Sequence, residues 1–426
     1  MEKFVIKGGH PLRGTVTPSG NKNAALPMLA AALLTDEEVV LRNVPHVKDV
    51  ETMMEVISAL GVEIEETGAQ EVTVCAKNVG TTKLDPDLCR HIRASILLAG
   101  PMLARCGRIN LPLPGGDVIG RRRVDTHLMA LRSLGAEIEI GHGYDMKAGE
   151  LKGQDVFLDE ASVTGTENAL MAACMAKGTT VIRNAASEPH VQDLALFLNE
   201  LGARISNIGS NTLIIHGVDK LHGGEYQISP DHIEIGSFIG AAAVTKGEIL
   251  IKNAMPEHLP MILLTFERLG ITVETREQDI LVPCEQSLQI VTDAHGVIPR
   301  IDDGPWPAFP ADLMSVAILV ATQCEGAILM FEKMYESRMF FVDKLFSMGA
   351  NIILCDPHRA VVMGPTKLHG EVLISPDIRA GMAILIAALC AEGQSVIKNI
   401  GQIDRGYERV DEKLRALGAQ IDRVED

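Results

Sequence analysis

Six times along its 426 residues this chain carries a helix-like run that ends in Leu-Gly or Met-Gly and passes into a short alternating stretch. The copies are Leu60-Gly61, Leu134-Gly135, Leu201-Gly202, Leu269-Gly270, Met348-Gly349 and Leu417-Gly418, about seventy residues apart. A helix stops at each glycine, the residue that adopts the left-handed C-cap conformation at least cost. Ahead of each copy lie an Ala-rich helix, a turn and a short strand that usually closes on Asn, as in Gly178–Asn184, Gly247–Asn253 and Gly393–Asn399. The pattern predicts one α/β unit used six times. Function is expected where one copy departs from the other five.

Each unit reads strand, helix, strand, loop, helix, strand. The first helix is apolar almost all round, as in Phe238–Val244 or Ala383–Cys390, and so is expected to be buried on every side. The second is amphipathic: Val410, Leu414 and Leu417 share a face, with Glu412, Lys413 and Arg415 elsewhere. A chain of this length exceeds one core, and six units divide into three and three. The expected domains are 21–229, and 1–20 together with 230–426, with the crossover near Tyr226–Pro230. The strand Lys3–Lys7 has no unit of its own and is expected to complete the last one.

A net charge of −17 argues against general nucleic-acid binding or an acidic membrane surface, which need basic faces. The eight cysteines are scattered with no C-x-x-C pair, and the N-terminus shows no charged-then-apolar leader. Reduced thiols and a cytoplasmic location are the expectation. The longest apolar helix, near Ala380–Ala391, is too short to insert across a bilayer.

Polar residues gather at the openings of the buried helices: Ser19–Asn23, Arg90–Arg93, Ser162–Asn168, Pro230–Glu234, Pro310–Asp312 and Pro376–Arg379. Ser, Asp and Asn there can be caps, but Lys22, Arg93 and Arg379 oppose the helix dipole. A bound anion would resolve that conflict. The second unit also departs from the rest. It inserts Leu111–Gly120 and then Arg121-Arg122-Arg123, a Pro/Gly loop with three arginines in an acidic chain. Residues 111–123 read as a hinged lid carrying an acid, Asp117, and a phosphate-binding arginine.

The runs Ser19–Pro27, Leu113–Gly120, Pro307–Asp312 and Ile403–Arg409 resemble, with the rest of the chain end to end, the UDP-N-acetylglucosamine 1-carboxyvinyltransferases, also called enolpyruvyl transferases. The resemblance implies two inside-out α/β barrel domains of three units each, with an active site in the cleft between them. It implies transfer of the enolpyruvyl group of phosphoenolpyruvate to the 3′-hydroxyl of UDP-N-acetylglucosamine, releasing phosphate, as the first committed step of peptidoglycan synthesis. No cofactor or metal is required. By similarity Lys22, Arg122 and Arg405 grip phosphoenolpyruvate, while Arg93, Arg338 and Arg379 complete a basic cleft. Asn23, Ser162, Val163, Thr164, Gly165 and Met334 contact the nucleotide sugar. Asp312 is the carboxylate beside the reacting hydroxyl.

The departures from that family are specific. Asp117 stands where most members carry the cysteine that acts as acid and is alkylated by fosfomycin. An aspartic acid can donate the proton but is a poor nucleophile toward an epoxide, so fosfomycin insensitivity is expected. Glu160 and His232 replace a lysine and an arginine, Arg123 replaces a proline, and Tyr335 a phenylalanine. Cys89, Cys106 and Cys174 read as inert core thiols. Three rival readings are the same fold acting on 3-phosphoshikimate, a paralogue acting on another nucleoside or sugar acceptor, and a non-catalytic nucleotide-sugar binder.

Overall fold

A computed structural model describes residues 2–116, Gly120 and 123–425. All six repeat glycines take positive φ, between 76° and 107°. Behind Gly202, for example, the Ala203 amide donates to Leu198 O at 3.0 Å, and the same six-residue closure follows Gly135, Gly270, Gly349 and Gly418. Each amphipathic helix is therefore stopped by the same backbone device, and the chain turns into the next strand.

Five units form four-stranded sheets with one plan. In the third, Asp155–Phe157 runs parallel to Thr179–Arg183, which pairs antiparallel with Thr212–His216, itself antiparallel to Arg204–Ser206. Three sheets borrow a strand from a distant part of the chain. Lys3–Lys7 lies between Gln394–Lys398 and Gln420–Val424, antiparallel to both, and supplies the strand that the last unit lacks. Gly224–Gln227 returns to pair parallel with Glu38–Arg42 of the first unit. Arg13–Val16 does the same for Glu248–Ile251 of the fourth. The described residues group into two compact units, 2–19 with 230–425, and 20–116 with 123–229.

Among the described residues the sheets stay separate and do not close into a barrel. Each unit has its own apolar core around three helices. Lys22–Ala31, Ala99–Cys106 and Val163–Ala173 serve one core, and His232–Val244, Ala311–Thr322 and Ile378–Cys390 the other. Every residue of His232–Val244 is buried. Its Gly236 lets the neighbouring helix come so near that a Cβ there would sit 2.5 Å from Leu313 Cδ1.

Two units depart from the plan. Asn43, Asn184, Asn253 and Asn399, each just beyond a strand, hold φ of 57°, 56°, 50° and 59°. Three of these side chains donate at 2.9 Å to the residue that follows the edge strand of their own sheet, to Ile228 O, Leu158 O and Ser375 O. The corresponding residue is Leu113 in the second unit and Glu332 in the fifth. The second unit's sheet has three strands, its parallel edge reduced to the bridge between Lys83 and Asn110. Its buried helix opens in the expected region, Arg90–Arg93, but is preceded by a separate short helix and begins as a 3-10 turn. Pro86–His91 ends at extended Ile92, and a 3-10 turn over Arg93–Leu98 leads into Ala99–Cys106. Among the described residues no helix is long and apolar enough to cross a membrane.

Gly418 has no other atom closer than 3.9 Å to a built Cβ, so Gly418→Ala tests the backbone device alone. An L-residue in that conformation costs about 1–2 kcal/mol, and urea unfolding should show a loss of that size.

Candidate active site

Asp312 is the second residue of its helix. Pro310 occupies the cap position, so the carboxylate is not used as a cap. It instead accepts from two arginines. Arg338 Nη2 donates to Oδ1 at 3.0 Å, and Arg379 Nε and Nη2 donate to Oδ2 at 3.0 and 2.9 Å. Arg379 is placed by a helix start whose cap, Asp377, accepts from the Arg379 and Ala380 amides, both at 2.9 Å. Both guanidiniums are buried, while the Asp312 side chain keeps 28% of its exposure. Burial alone disfavours their charge, yet the Asp312 carboxylate raises both above the usual arginine value. Arg338 Nη1 and Arg379 Nη1 are buried and meet no acceptor among the described residues. Two cations share one carboxylate, so the cluster keeps a net positive charge and spare donors.

Behind Arg338 lies Glu332, fully buried. Its Oε1 accepts from the Met334 and Tyr335 amides at 3.2 and 3.0 Å and so folds the turn that carries Met334, Tyr335 and Arg338. Burial, and then the facing Asp303, push its carboxyl well above the usual range. Among the described residues Glu332 Oε2 and Asp303 Oδ2 have no other donor, so a proton held between them satisfies both. Arg338 Nε stays 3.8 Å from Glu332 Oε2, too long for a hydrogen bond.

In the other unit, Asn21 caps the first buried helix by accepting from the Asn23 amide at 2.9 Å. Lys22 opens that helix and is 7% exposed. Its Nζ donates to Asp49 Oδ2 at 3.1 Å, a pair buried on both sides. The dipole conflict expected for Lys22 and Arg379 is thus met from inside the protein, by Asp49 and Asp312. Ser162 Oγ accepts from Gly165 N at 3.2 Å and caps the helix that follows. Thr164 Oγ1 lies 3.0 Å from His127 Nε2, and Asn168 Nδ2 lies 2.9 Å from His127 Nδ1. Burial, helped by the Arg93 charge, lowers His127 to about 3, so the ring is neutral.

Arg93 Nη2 donates to Arg123 O at 3.3 Å, and Arg405 Nη1 to Gln402 Oε1 at 3.1 Å. Met334 is 40% exposed. Arg123 pairs with Asp125 and Asp159 at 3.2 and 2.9 Å, so little of its charge is spare to compensate for the missing lysine at 160. Glu160 accepts from Thr126 Oγ1 at 3.3 Å. His232 does not replace an arginine's charge: burial first, then His258 and Arg379, lower it to about 3. Asp117 and Arg122 lie outside the described residues. Burial pushes Cys89 up to about 11 and Cys174 up to about 12, and raises Cys106 less, which suits inert thiols.

Asp49, His127, Asn168 and Glu332 were not among the residues expected from the sequence. Signals for two of them were present. Asp49 shares a helix stripe with Met53 and Val56, and His127 with Leu131 and Leu134.

The family described as EPSP synthase (3-phosphoshikimate 1-carboxyvinyltransferase) matches residues 6–414. A UDP-N-acetylglucosamine 1-carboxyvinyltransferase of Bradyrhizobium diazoefficiens is 59% identical over 422 residues, covering 99% of this chain and 98% of that protein. One of Treponema denticola is 53% identical over 425 residues, covering 100% of each. Among solved structures, the enolpyruvyl transferase NikO from Streptomyces tendae matches with a TM-score of 0.87 at 24% identity, over 99% of each chain. EPSP synthase from Acinetobacter baumannii matches at 0.78 and 19%, over 100% of each chain. At those identities the two structures bear on the fold alone.

The Glu332 carboxyl gives a test of the fifth unit. Its pKa is raised on folding, so the folded state holds a proton that the unfolded state releases above the ordinary carboxylate range. Stability from this group is complete below that range and declines as pH rises toward the folded value. Glu332→Gln keeps the acceptor and replaces the acid O–H by an N–H. The variant should gain stability relative to the native protein between pH 5 and pH 8, read by denaturant midpoints.

Proposed function

The chain belongs to the UDP-N-acetylglucosamine 1-carboxyvinyltransferase family of enolpyruvyl transferases, and from that premise we propose how its residues perform the reaction. The enzyme transfers the enolpyruvyl group of phosphoenolpyruvate to the 3′-hydroxyl of UDP-N-acetylglucosamine and releases phosphate, a step of peptidoglycan synthesis. Both substrates are polyanions. The observation that carries the reading is the Asp312–Arg338–Arg379 cluster, with one carboxylate, two cations and unsatisfied buried N–H groups. Such a group can hold a reacting hydroxyl on Asp312 and turn its remaining donors toward an anion.

In the proposed reaction Lys22, Arg122 and Arg405 neutralise phosphoenolpyruvate, with Arg93 adding charge. Asp117, protonated, gives its proton to the methylene carbon. The 3′-oxygen bonds to the adjacent carbon as Asp312 receives the hydroxyl proton. The carbon–oxygen bond to phosphate then breaks as the new methyl group returns a proton to the Asp117 carboxylate, the enol ether forms, and Asp312 gives its proton to the departing phosphate. Held by two guanidiniums, Asp312 is a weak base in the ground state. It gains basicity as the oxygen attack makes the hydroxyl acidic. Arg121, Arg122 and Arg123 follow Asp117 in the sequence, and their charge favours its carboxylate; bound phosphate offsets it. Ser162, Val163, Thr164 and Gly165, with Asn23 and Met334, hold the nucleotide sugar. We place the enzyme in the cytoplasm.

The substrate reading is tested by phosphate release from phosphoenolpyruvate with UDP-N-acetylglucosamine, with shikimate 3-phosphate, and with neither. Release with the first alone is expected, and release with the second alone would replace the reading. Removal of the acid by Asp117→Asn should lower turnover about a hundredfold or more while calorimetry shows unchanged nucleotide-sugar binding. We also propose insensitivity to fosfomycin. Mass spectrometry of the native protein incubated with the drug should show no added mass, whereas an adduct would contradict the assignment.

A further inference from the structure

A row of hydrogen bonds runs from the core of the unit holding residues 123–229 out to Thr164. Its inner end is fixed by backbone groups whose donor or acceptor character cannot change. Gly100 N donates to Asn168 Oδ1 at 2.7 Å, which identifies that atom as the amide oxygen. Asn168 Nδ2 donates to Ile96 O at 2.8 Å. Its second hydrogen points at His127 Nδ1, 2.9 Å away. Nδ1 must therefore carry the lone pair, and a neutral imidazole then carries its hydrogen on Nε2. That hydrogen is donated to Thr164 Oγ1 at 3.0 Å. Asn168 and His127 are buried, at 0% and 1% exposure, so water cannot rearrange the row. Thr164 is half-buried and forms its outer end.

A hydroxyl normally serves as donor or acceptor as its partner requires. Here the Thr164 oxygen is already engaged by His127, and its own proton is left directed away from the row. We infer that Thr164 is a committed hydrogen-bond donor to an acceptor-only oxygen of the bound nucleotide sugar, a non-bridging diphosphate oxygen, with His127 and Asn168 as positioning residues that set its polarity. The inference rests on the nucleotide-sugar reading given above. It also accounts for a site that binds a diphosphate with Glu160 where a lysine was expected: a fixed neutral donor meets the anion without adding charge beside the Arg123, Asp125 and Asp159 pairs.

The test uses the full chain. Titration calorimetry with UDP-N-acetylglucosamine should show about tenfold or greater weakening in Thr164→Val, because a hydrogen bond to a charged oxygen is lost. Thr164→Ser should restore binding. Nitrogen-15 spectra of the native protein should show His127 protonated on Nε2. Asn168→Asp puts an acceptor opposite Nδ1, moves the proton to that nitrogen, and turns the Thr164 hydroxyl back toward the ring. Affinity should then fall although Thr164 is intact, and adding Thr164→Val should weaken it no further. Native-like affinity in Thr164→Val, or an Nδ1-protonated His127 in the native protein, overturns the inference, and both can be read if Asn168→Asp does not fold. If the native protein binds no UDP-N-acetylglucosamine while His127 is Nε2-protonated, the substrate reading has failed and this inference falls with it.

Discussion

A helix buried on every side has one polar place to offer, its first turn. That constraint organises this protein. Six apolar helices leave their unsatisfied N–H groups at one end each, and the charged and hydrogen-bonding residues of the chain collect there. Caps such as Asn21, Ser162, Asp231 and Asp377 satisfy the first amides. Cations beside them need a counter-charge, because a buried unpaired ion costs several kcal/mol. The protein supplies one for two of these cations, Asp49 for Lys22 and Asp312 for Arg379. The charges are held ready without ligand.

The repeat shows where function was admitted. Four units follow a strand with a left-handed Asn, and three of these tie its amide to the residue just past the neighbouring edge strand. The two that do not are the second, with Leu113 at the base of the inserted loop, and the fifth, with Glu332. Losing the Asn frees the segment beyond the strand for another use. In the fifth unit that segment is rebuilt around the Glu332 carboxyl and delivers Arg338 to Asp312.

Much of this was legible in the sequence because it is periodic or local. The Leu-Gly stops depend on one residue type in one conformation. The all-apolar helices could be nothing but core, and Lys3–Lys7 had too few neighbours to form a sheet of its own. The break at Ile92 was hidden, since Arg90–Arg93 reads as an ordinary helix opening. Pairings between distant residues were hidden too. Nothing local to Asp312 says that two arginines, 26 and 67 positions later, will share it. Nothing near Thr164 says that a histidine will fix its proton. Such links depend on which helix ends the core packing brings together, and single-sequence patterns do not carry that information.

Addition followed by elimination leaves a mark that direct displacement at phosphorus or oxygen does not: the methylene carbon passes through a methyl group. The most direct measurement is therefore the product made from phosphoenolpyruvate and UDP-N-acetylglucosamine in deuterium oxide, examined by proton NMR and mass spectrometry. The proposed chemistry requires a 3′-enolpyruvyl ether with solvent deuterium in its vinyl methylene. An undeuterated ether, or attachment at another hydroxyl, would contradict it.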